Sequence, residues 1–176
     1  IYGATYALLD GLLRSQGVAA RFVDATDLDA VAAACAAVRP VALLVETVSN
    51  PLLKVADLPA LAEVARRCGA ALLVDNTFAS PCLVRPLALG ADMVIHSATK
   101  YLSGHGDVLG GVVVTSAARR AELFEVLKVT GSNLGPQEAW LALRGLRTLA
   151  LRMRQHSENG LAVALSLIHI SEPTRL

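Results

Sequence analysis

Short apolar runs alternate along the chain with longer stretches of helical character. Four runs have strand length and contain few polar residues, and they predict strands at 41–45, 71–74, 93–95 and 111–115. A shorter run at 21–24 is also expected to form a strand. Helices are predicted between them, with capping residues, proline or glycine at their ends, over 5–16, 28–38, 58–68, 117–129 and 136–153.

Apolar strands separated by helices are typical of a sheet that is buried on both faces. The sequence therefore predicts an α/β fold, a three-layer α/β/α domain with a mostly parallel sheet. Ligands of such domains bind beyond the carboxyl ends of the strands. Glu46, Asp75 and Ser97 follow or end three of the predicted strands, so a site is expected there.

Composition narrows the class of protein. Hydrophobic residues make up 54% of the 176 residues and charged residues 18%, which predicts one folded domain. The net charge of +1 and the lack of basic runs with interleaved aromatics argue against a nucleic-acid partner. The longest apolar stretch, 30–38, is too short to cross a membrane.

Three cysteines without metal or pairing spacing favour a reduced, cytoplasmic protein. His96 and His105 lack a third ligand at a recognisable spacing, so no metal site is predicted.

Two residues carry the candidate chemistry. Asp75 comes directly after a buried strand, so its carboxylate is expected to be partly buried and to need a cationic partner, although it could also be a turn residue. Lys100 lies in Ser97-Ala-Thr-Lys100, between hydroxyl side chains and a glycine-rich loop. Nearby glycines allow the backbone to approach a ligand closely. A lysine in such a loop could equally be a solvated surface charge.

Three consecutive motifs span 74–81 (VDNTFASP), 85–92 (RPLALGAD) and 96–107 (HSATKYLSGHGD). They resemble the motifs of the Cys/Met-metabolism (transsulfuration) family of pyridoxal-phosphate (PLP) enzymes. Weaker matches at 2–6, 46–54 and 143–149 flank them, and the resemblance covers residues 1 to about 160. It implies the large domain of the aspartate aminotransferase-like fold, with pyridoxal 5'-phosphate as cofactor.

The resemblance also implies roles for six residues around this cofactor. Lys100 would hold it as a Schiff base and then act as the base on the substrate. Asp75 would keep the pyridine nitrogen protonated, and Ser97 and Thr99 would bind the phosphate. Tyr2 would stack on the ring and assist proton transfer. Asn50 would lie near the cofactor hydroxyl and the substrate carboxylate.

The implied substrate is a small amino acid of sulfur metabolism. The expected reaction is γ-replacement or γ-elimination on homoserine-derived substrates or cystathionine, as in cystathionine γ-synthases and γ-lyases. Cystathionine β-lyase, O-acylhomoserine sulfhydrylase and methionine γ-lyase activities remain alternatives. Ala4 disfavours the last, because methionine γ-lyases often carry cysteine there. The resemblance further implies a homotetramer with shared sites.

Three other interpretations concern the chain as a whole. Ser97-x-x-Lys100 is also the spacing of serine acyl-enzymes, but their companion Ser-Asp-Asn and Lys-Thr-Gly motifs are absent from the sequence.

The chain is expected to be truncated at both ends, with 1–160 a partial PLP-binding domain. Residues 165–176 resemble a translated sequencing adapter and are interpreted as a non-native tail. The chain alone could therefore be an inactive fragment that associates and retains little cofactor.

Overall fold

The computed structural model describes residues 1–171, and the side chains of residues 1–168. Four strands alternate with helices. The strands are β1 (Ala42–Glu46), β2 (Ala71–Asp75), β3 (Met93–Ser97) and β4 (Gly111–Thr115). The helices are α1 (Gly3–Ala7), α2 (Leu28–Val38), α3 (Leu58–Cys68), α4 (Ser80–Leu83), α5 (Ala117–Thr130), α6 (Pro136–Leu146) and α7 (Leu149–Ser171).

The four strands form one sheet in the order β1-β2-β3-β4. The first three are parallel, with Glu46 opposite Asp75 and Asp75 opposite Ile95. β4 is antiparallel to β3, which makes the sheet mixed. The expected α/β fold with a mostly parallel sheet is confirmed, and the carboxyl ends of β1, β2 and β3 meet at one edge.

Helices α2 and α3 cover one face of this sheet. Leu72 and Val74 of β2 are fully buried there, together with Leu61 of α3 and Val31 of α2. Each helix begins at an aspartate whose side chain accepts a backbone N–H three residues on, as expected for a capped helix. Side chains on the opposite face of the sheet, such as Leu73, are only half-buried. The two faces therefore differ in burial, and a ligand can approach the carboxyl edge from the less buried face.

The structure corrects two predicted elements. Residues 21–24 do not form a strand; they are exposed, the Phe22 ring packs on Tyr6 at 4.7 Å, and Asp24 accepts the Thr26 N–H in a turn. The helix predicted over 136–153 is two helices. At the break, the N–H groups of Arg147 and Thr148 bond to carbonyls only three residues back, which tightens and ends α6.

Smaller differences concern turns and the chain ends. The helix predicted over 5–16 begins at Gly3 and widens into a π-helical turn over Leu8–Leu13. A 3₁₀ turn, Pro86–Leu89, and a π-helical turn, Ala98–Leu102, had no periodic signal. The expected tail boundary at Leu165 falls within α7, and residues 172–176 lie outside the described part of the chain. None of the described helices is long and apolar enough to cross a membrane.

Candidate active site

Two rows of polar side chains lie where β1, β2 and β3 end. Successive residues of a strand point to opposite faces of a sheet, so neighbours in sequence separate there. The site row, on the open face, consists of Glu46, Asp75 and Ser97, which are partly accessible. The core row, on the helix-covered face, consists of Thr47, Asn76 and His96, which are at most 4% exposed.

Asp75 begins a hydrogen-bond chain in the site row. Its Oδ1 accepts the backbone N–H of Thr77 at 3.0 Å and the Thr77 hydroxyl at 2.5 Å. The same hydroxyl accepts the backbone N–H of Ser97 at 2.8 Å. Thr77 therefore fixes Asp75 relative to the end of β3. Oδ2 of Asp75 and the Ser97 hydroxyl have no hydrogen-bond partner within the described residues, so both remain open to a ligand.

Lys100 lies three residues beyond β3, in the turn Ala98–Leu102. Its backbone, at φ −96° and ψ −124°, departs from helical values, and its side chain is exposed. The Nζ atom has no ion-pair or hydrogen-bond partner in the described part of the chain. The residue before it is held: Thr99 Oγ1 accepts the Gly110 N–H at 3.1 Å and also lies 3.4 Å from the Gly110 carbonyl oxygen. The amine is accessible on a fixed backbone.

Glu46 joins two further predicted residues to the same edge. Its Oε1 accepts the backbone N–H of Tyr2 at 2.6 Å, and its Oε2 accepts that of Asn50 at 3.1 Å. The glutamate side chain is only 9% exposed, whereas Tyr2 is 49% exposed. The sequence indicated a site at Glu46 without a role for this residue, and its contacts are those of a loop anchor. It places Tyr2 and Asn50 beside the end of β1.

The core row holds the loop that follows β2. Asn76 is fully buried; its Oδ1 accepts the Thr47 hydroxyl at 2.8 Å, and its amide donates to the carbonyls of Ser80 and Val84 at 3.1 and 2.9 Å. These bonds satisfy a buried amide that would otherwise be costly. They also connect three chain segments behind Asp75.

His96 completes the core row beside β2. Its ring is 4% exposed, and Nδ1 has no hydrogen-bond partner within the described residues. Burial lowers the pKa of His96 below the usual 6.5, while the nearby Asp75 carboxylate and the Asn76 backbone act more weakly in the opposite direction. The ring is therefore favoured in its neutral form.

The exposed amine, the open carboxylate oxygen and the hydroxyls fit pyridoxal phosphate. A carboxylate can bind the protonated pyridine nitrogen, an amine can attach to the aldehyde, and hydroxyls can donate to a phosphate. An α/β sheet that presents these groups at its carboxyl edge has the features of a PLP-dependent domain.

Comparisons with known proteins identify the family. Residues 1–171 match the family described as Cys/Met metabolism PLP-dependent enzyme. The chain is 46% identical to cystathionine gamma-lyase of Bacillus subtilis and 47% identical to cystathionine beta-lyase of Lactococcus lactis, with 93% of the chain and 43% of each relative covered. It superimposes on cystathionine gamma synthase of Xanthomonas oryzae in complex with cystathionine with a TM-score of 0.90 and 44% identity, covering 94% of this chain and 43% of that one.

The chain belongs to the Cys/Met metabolism family of PLP-dependent enzymes, as its motifs suggested. It spans somewhat less than half the length of these relatives.

Sequence reasoning missed several residues that organise this edge. Thr77 and Asn76 lie within the Asp75-Asn-Thr motif but received no role of their own, because the motif does not show which groups they contact. Arg152, which contacts the segment after Lys100, was not noticed. The only available signal was its position in an arginine-rich helical stretch, where a solvated charge is the usual interpretation.

Proposed function

We propose that the protein is a PLP-dependent enzyme of sulfur amino-acid metabolism that catalyses γ-replacement or γ-elimination. The observation that carries the proposal is the site row with the accessible Lys100 beside it, in a chain that belongs to a PLP-dependent family. The substrate class is a homoserine-derived amino acid or cystathionine. Relatives named for cystathionine γ-lyase and γ-synthase activity support this class.

Each residue has a role in this proposal. The bound cofactor supplies an electron sink for the pair left when a proton departs from the substrate Cα. Lys100 holds the cofactor and, once freed by the substrate, accepts that proton. Asp75 keeps the ring nitrogen protonated through its open Oδ2. Ser97 and Thr99 bind the phosphate by donating their hydroxyl hydrogens, and Thr99 Oγ1 continues to accept the Gly110 N–H.

Tyr2 and Asn50 complete the substrate side of the proposed site. Tyr2 packs on the cofactor ring, and its phenol delivers a proton to the leaving group. Asn50 lies near the cofactor hydroxyl and the substrate carboxylate. Both act from loops whose backbones are held by Glu46.

A second candidate reaction is β-elimination. It is supported by the 47% identity to cystathionine beta-lyase of Lactococcus lactis, which is close to the 46% identity to the γ-lyase relative. The two reactions break different bonds of cystathionine, on opposite sides of its sulfur. Incubation of the complete gene product with cystathionine distinguishes them: γ-elimination releases cysteine, and β-elimination releases homocysteine. O-succinylhomoserine and O-acetylhomoserine with cysteine test γ-replacement, and with sulfide they test sulfhydrylation.

The acyl-enzyme interpretation receives no support from the site. It requires the lysine amine to activate Ser97, yet Lys100 Nζ and Ser97 Oγ form no hydrogen bond in the described residues. Visible absorbance after incubation with pyridoxal phosphate tests this directly, because an acyl-enzyme or an inactive fragment acquires none.

The proposal extends to assembly, location and chain organisation. We propose a cytoplasmic homotetramer, a partial PLP-binding domain over 1–160 and a non-native tail over 165–176. Free cysteines support a reducing compartment, and several strongly exposed apolar side chains support association: Val41, Leu52, Leu109 and Val129. Light scattering after size-exclusion chromatography should give a tetramer for the complete gene product. For the 176-residue chain we expect mixed oligomers that lose cofactor on desalting.

A further inference from the structure

Arg152 of α7 contacts the segment that directly follows Lys100. Its Nη1 donates to the Tyr101 carbonyl at 2.6 Å, and its Nη2 lies 3.4 Å from that of Leu102. Nη2 also donates to the Gly145 carbonyl at 2.7 Å, and Nε donates to the Thr148 hydroxyl at 3.1 Å. All four acceptors are uncharged oxygens, and no carboxylate pairs with this half-buried guanidinium in the described residues.

These bonds join three elements at one point. The Tyr101 and Leu102 carbonyls end the turn that carries Lys100, and the Gly145 carbonyl is in the last turn of α6. Carbonyls at helix ends lack intrahelical partners and carry partial negative charge, so a cation satisfies several at once. The planar fork of arginine reaches carbonyls in two directions, which a lysine ammonium cannot reproduce.

The backbone around Arg152 is closely packed. A Cβ atom at Gly104 would lie 2.2 Å from Arg152 Nη1, and one at Gly145 would lie 2.1 Å from the Ser103 carbonyl oxygen. Leu102 and Ser103 are buried between them. The peptides after Lys100 are thus held by Arg152, and Thr99 before it is held by Gly110.

We propose that Arg152 is a positioning residue that fixes the backbone on which the Lys100 amine is presented. This inference rests on the proposed function for its catalytic meaning. Arg152 lies outside the site row and acts only through the Tyr101 and Leu102 peptides. Without Arg152, the backbone after Lys100 unfolds locally more often, and the Lys100 side chain is no longer held in one orientation.

The test compares Arg152→Ala and Arg152→Lys with Arg154→Ala, which removes an exposed arginine of the same helix that forms no hydrogen bond or ion pair in the described residues. Amide hydrogen exchange without cofactor is measured for peptides covering 98–104 and 71–75. We expect about tenfold faster exchange in 98–104 for both Arg152 variants, unchanged exchange in 71–75, and no effect of Arg154→Ala. Equally faster amide exchange in both peptides, or unchanged exchange in 98–104, would overturn the proposal. If the alanine variant does not fold, the lysine variant decides by the same comparison.

A second readout connects the inference to the cofactor. Borohydride fixes pyridoxal phosphate on the amine that holds it, and the fixed fraction is followed against cofactor concentration. The half-saturating concentration should rise about tenfold in Arg152→Ala and fall back when guanidinium ion is added. An unchanged half-saturating concentration would overturn the positioning role. If the complete gene product fixes no cofactor on Lys100, the proposed function fails, and hydrogen exchange alone decides whether Arg152 holds the segment.

Discussion

The site row and the core row occupy the same edge of one sheet, yet they have opposite environments. Glu46 and Thr47 are adjacent in sequence, as are Asp75 and Asn76, and in each pair one side chain faces the candidate site and the other the core. The core-row residue is buried and hydrogen-bonded within the protein, whereas Asp75 keeps an oxygen open. At the end of a strand, one side chain can therefore face the candidate site while the adjacent one stabilises the core. Substitutions in the site row should accordingly lower activity, and substitutions in the core row should lower stability.

The largest effect is expected for Asp75→Asn in the site row. Asparagine preserves shape but cannot hold a proton on the cofactor ring nitrogen, so turnover of the complete gene product should fall about 10²–10³-fold. Its affinity for pyridoxal phosphate and its unfolding midpoint should change far less. Asp29→Asn, at an exposed carboxylate of α2, serves as control. An unchanged rate would show that Asp75 is only a turn residue.

Asn76→Ala in the core row should instead destabilise the fold. It removes the acceptor of the Thr47 hydroxyl and the side-chain donor to the carbonyls of Ser80 and Val84, at a cost of about 3 kcal/mol in the free energy of unfolding. Urea denaturation measures this, with the exposed Asn133→Ala as control. A stable Asn76→Ala protein with lost cofactor binding would contradict the division into two rows.

Glu46 belongs to the site row, yet its hydrogen bonds are to backbone groups. Its substitution therefore tests whether a site-row residue can act by holding other residues in place. Glu46→Ala should weaken cofactor binding about tenfold by releasing Tyr2 and Asn50, and Glu46→Gln should weaken it less because one acceptor oxygen remains. Titration of the visible absorbance gives these affinities. Glu122→Gln on the exposed face of α5 should match the unsubstituted chain. Equal behaviour of all three variants would remove Glu46 from the site.

The smallest effect concerns the pH dependence of stability. Since burial holds the pKa of His96 below its unfolded value of 6.5, the unfolded chain binds the proton more readily. The stabilisation from the neutral ring is therefore present above pH 6.5 and lost as pH falls through the folded pKa. His96→Asn should lose less stability between pH 7 and about pH 5 than the unsubstituted chain in thermal unfolding. His105→Asn, at an exposed histidine, should follow the unsubstituted chain.

Much of this arrangement was predictable, because it depends on local signals. The apolar runs gave the four strands of the sheet, and the caps gave helix starts such as Asp57 and Ser116. The motif around Lys100 gave the family and the position of the candidate site at the strand ends. These features are encoded by residues close together in the chain.

The features that were missed depend on contacts between distant segments. The run at 21–24 has strand composition but no pairing partner in the described residues. The break between α6 and α7 occurs where Gly145 packs against the backbone of Ser103, which no helical periodicity shows. Arg152 and Glu46 bond to backbone groups, and every residue type offers such groups. A sequence therefore indicates the reacting groups more readily than the residues that hold them.

Borohydride labelling shows directly whether Lys100 holds the cofactor. The complete gene product is incubated with excess pyridoxal phosphate, reduced with borohydride and digested, and the labelled peptide is identified by mass spectrometry. We expect a label on Lys100 that disappears in Lys100→Ala and persists in Lys128→Ala, which removes the lysine that pairs with Glu125 on α5. A label on Lys54 or Lys128, the other two lysines of the chain, would contradict it.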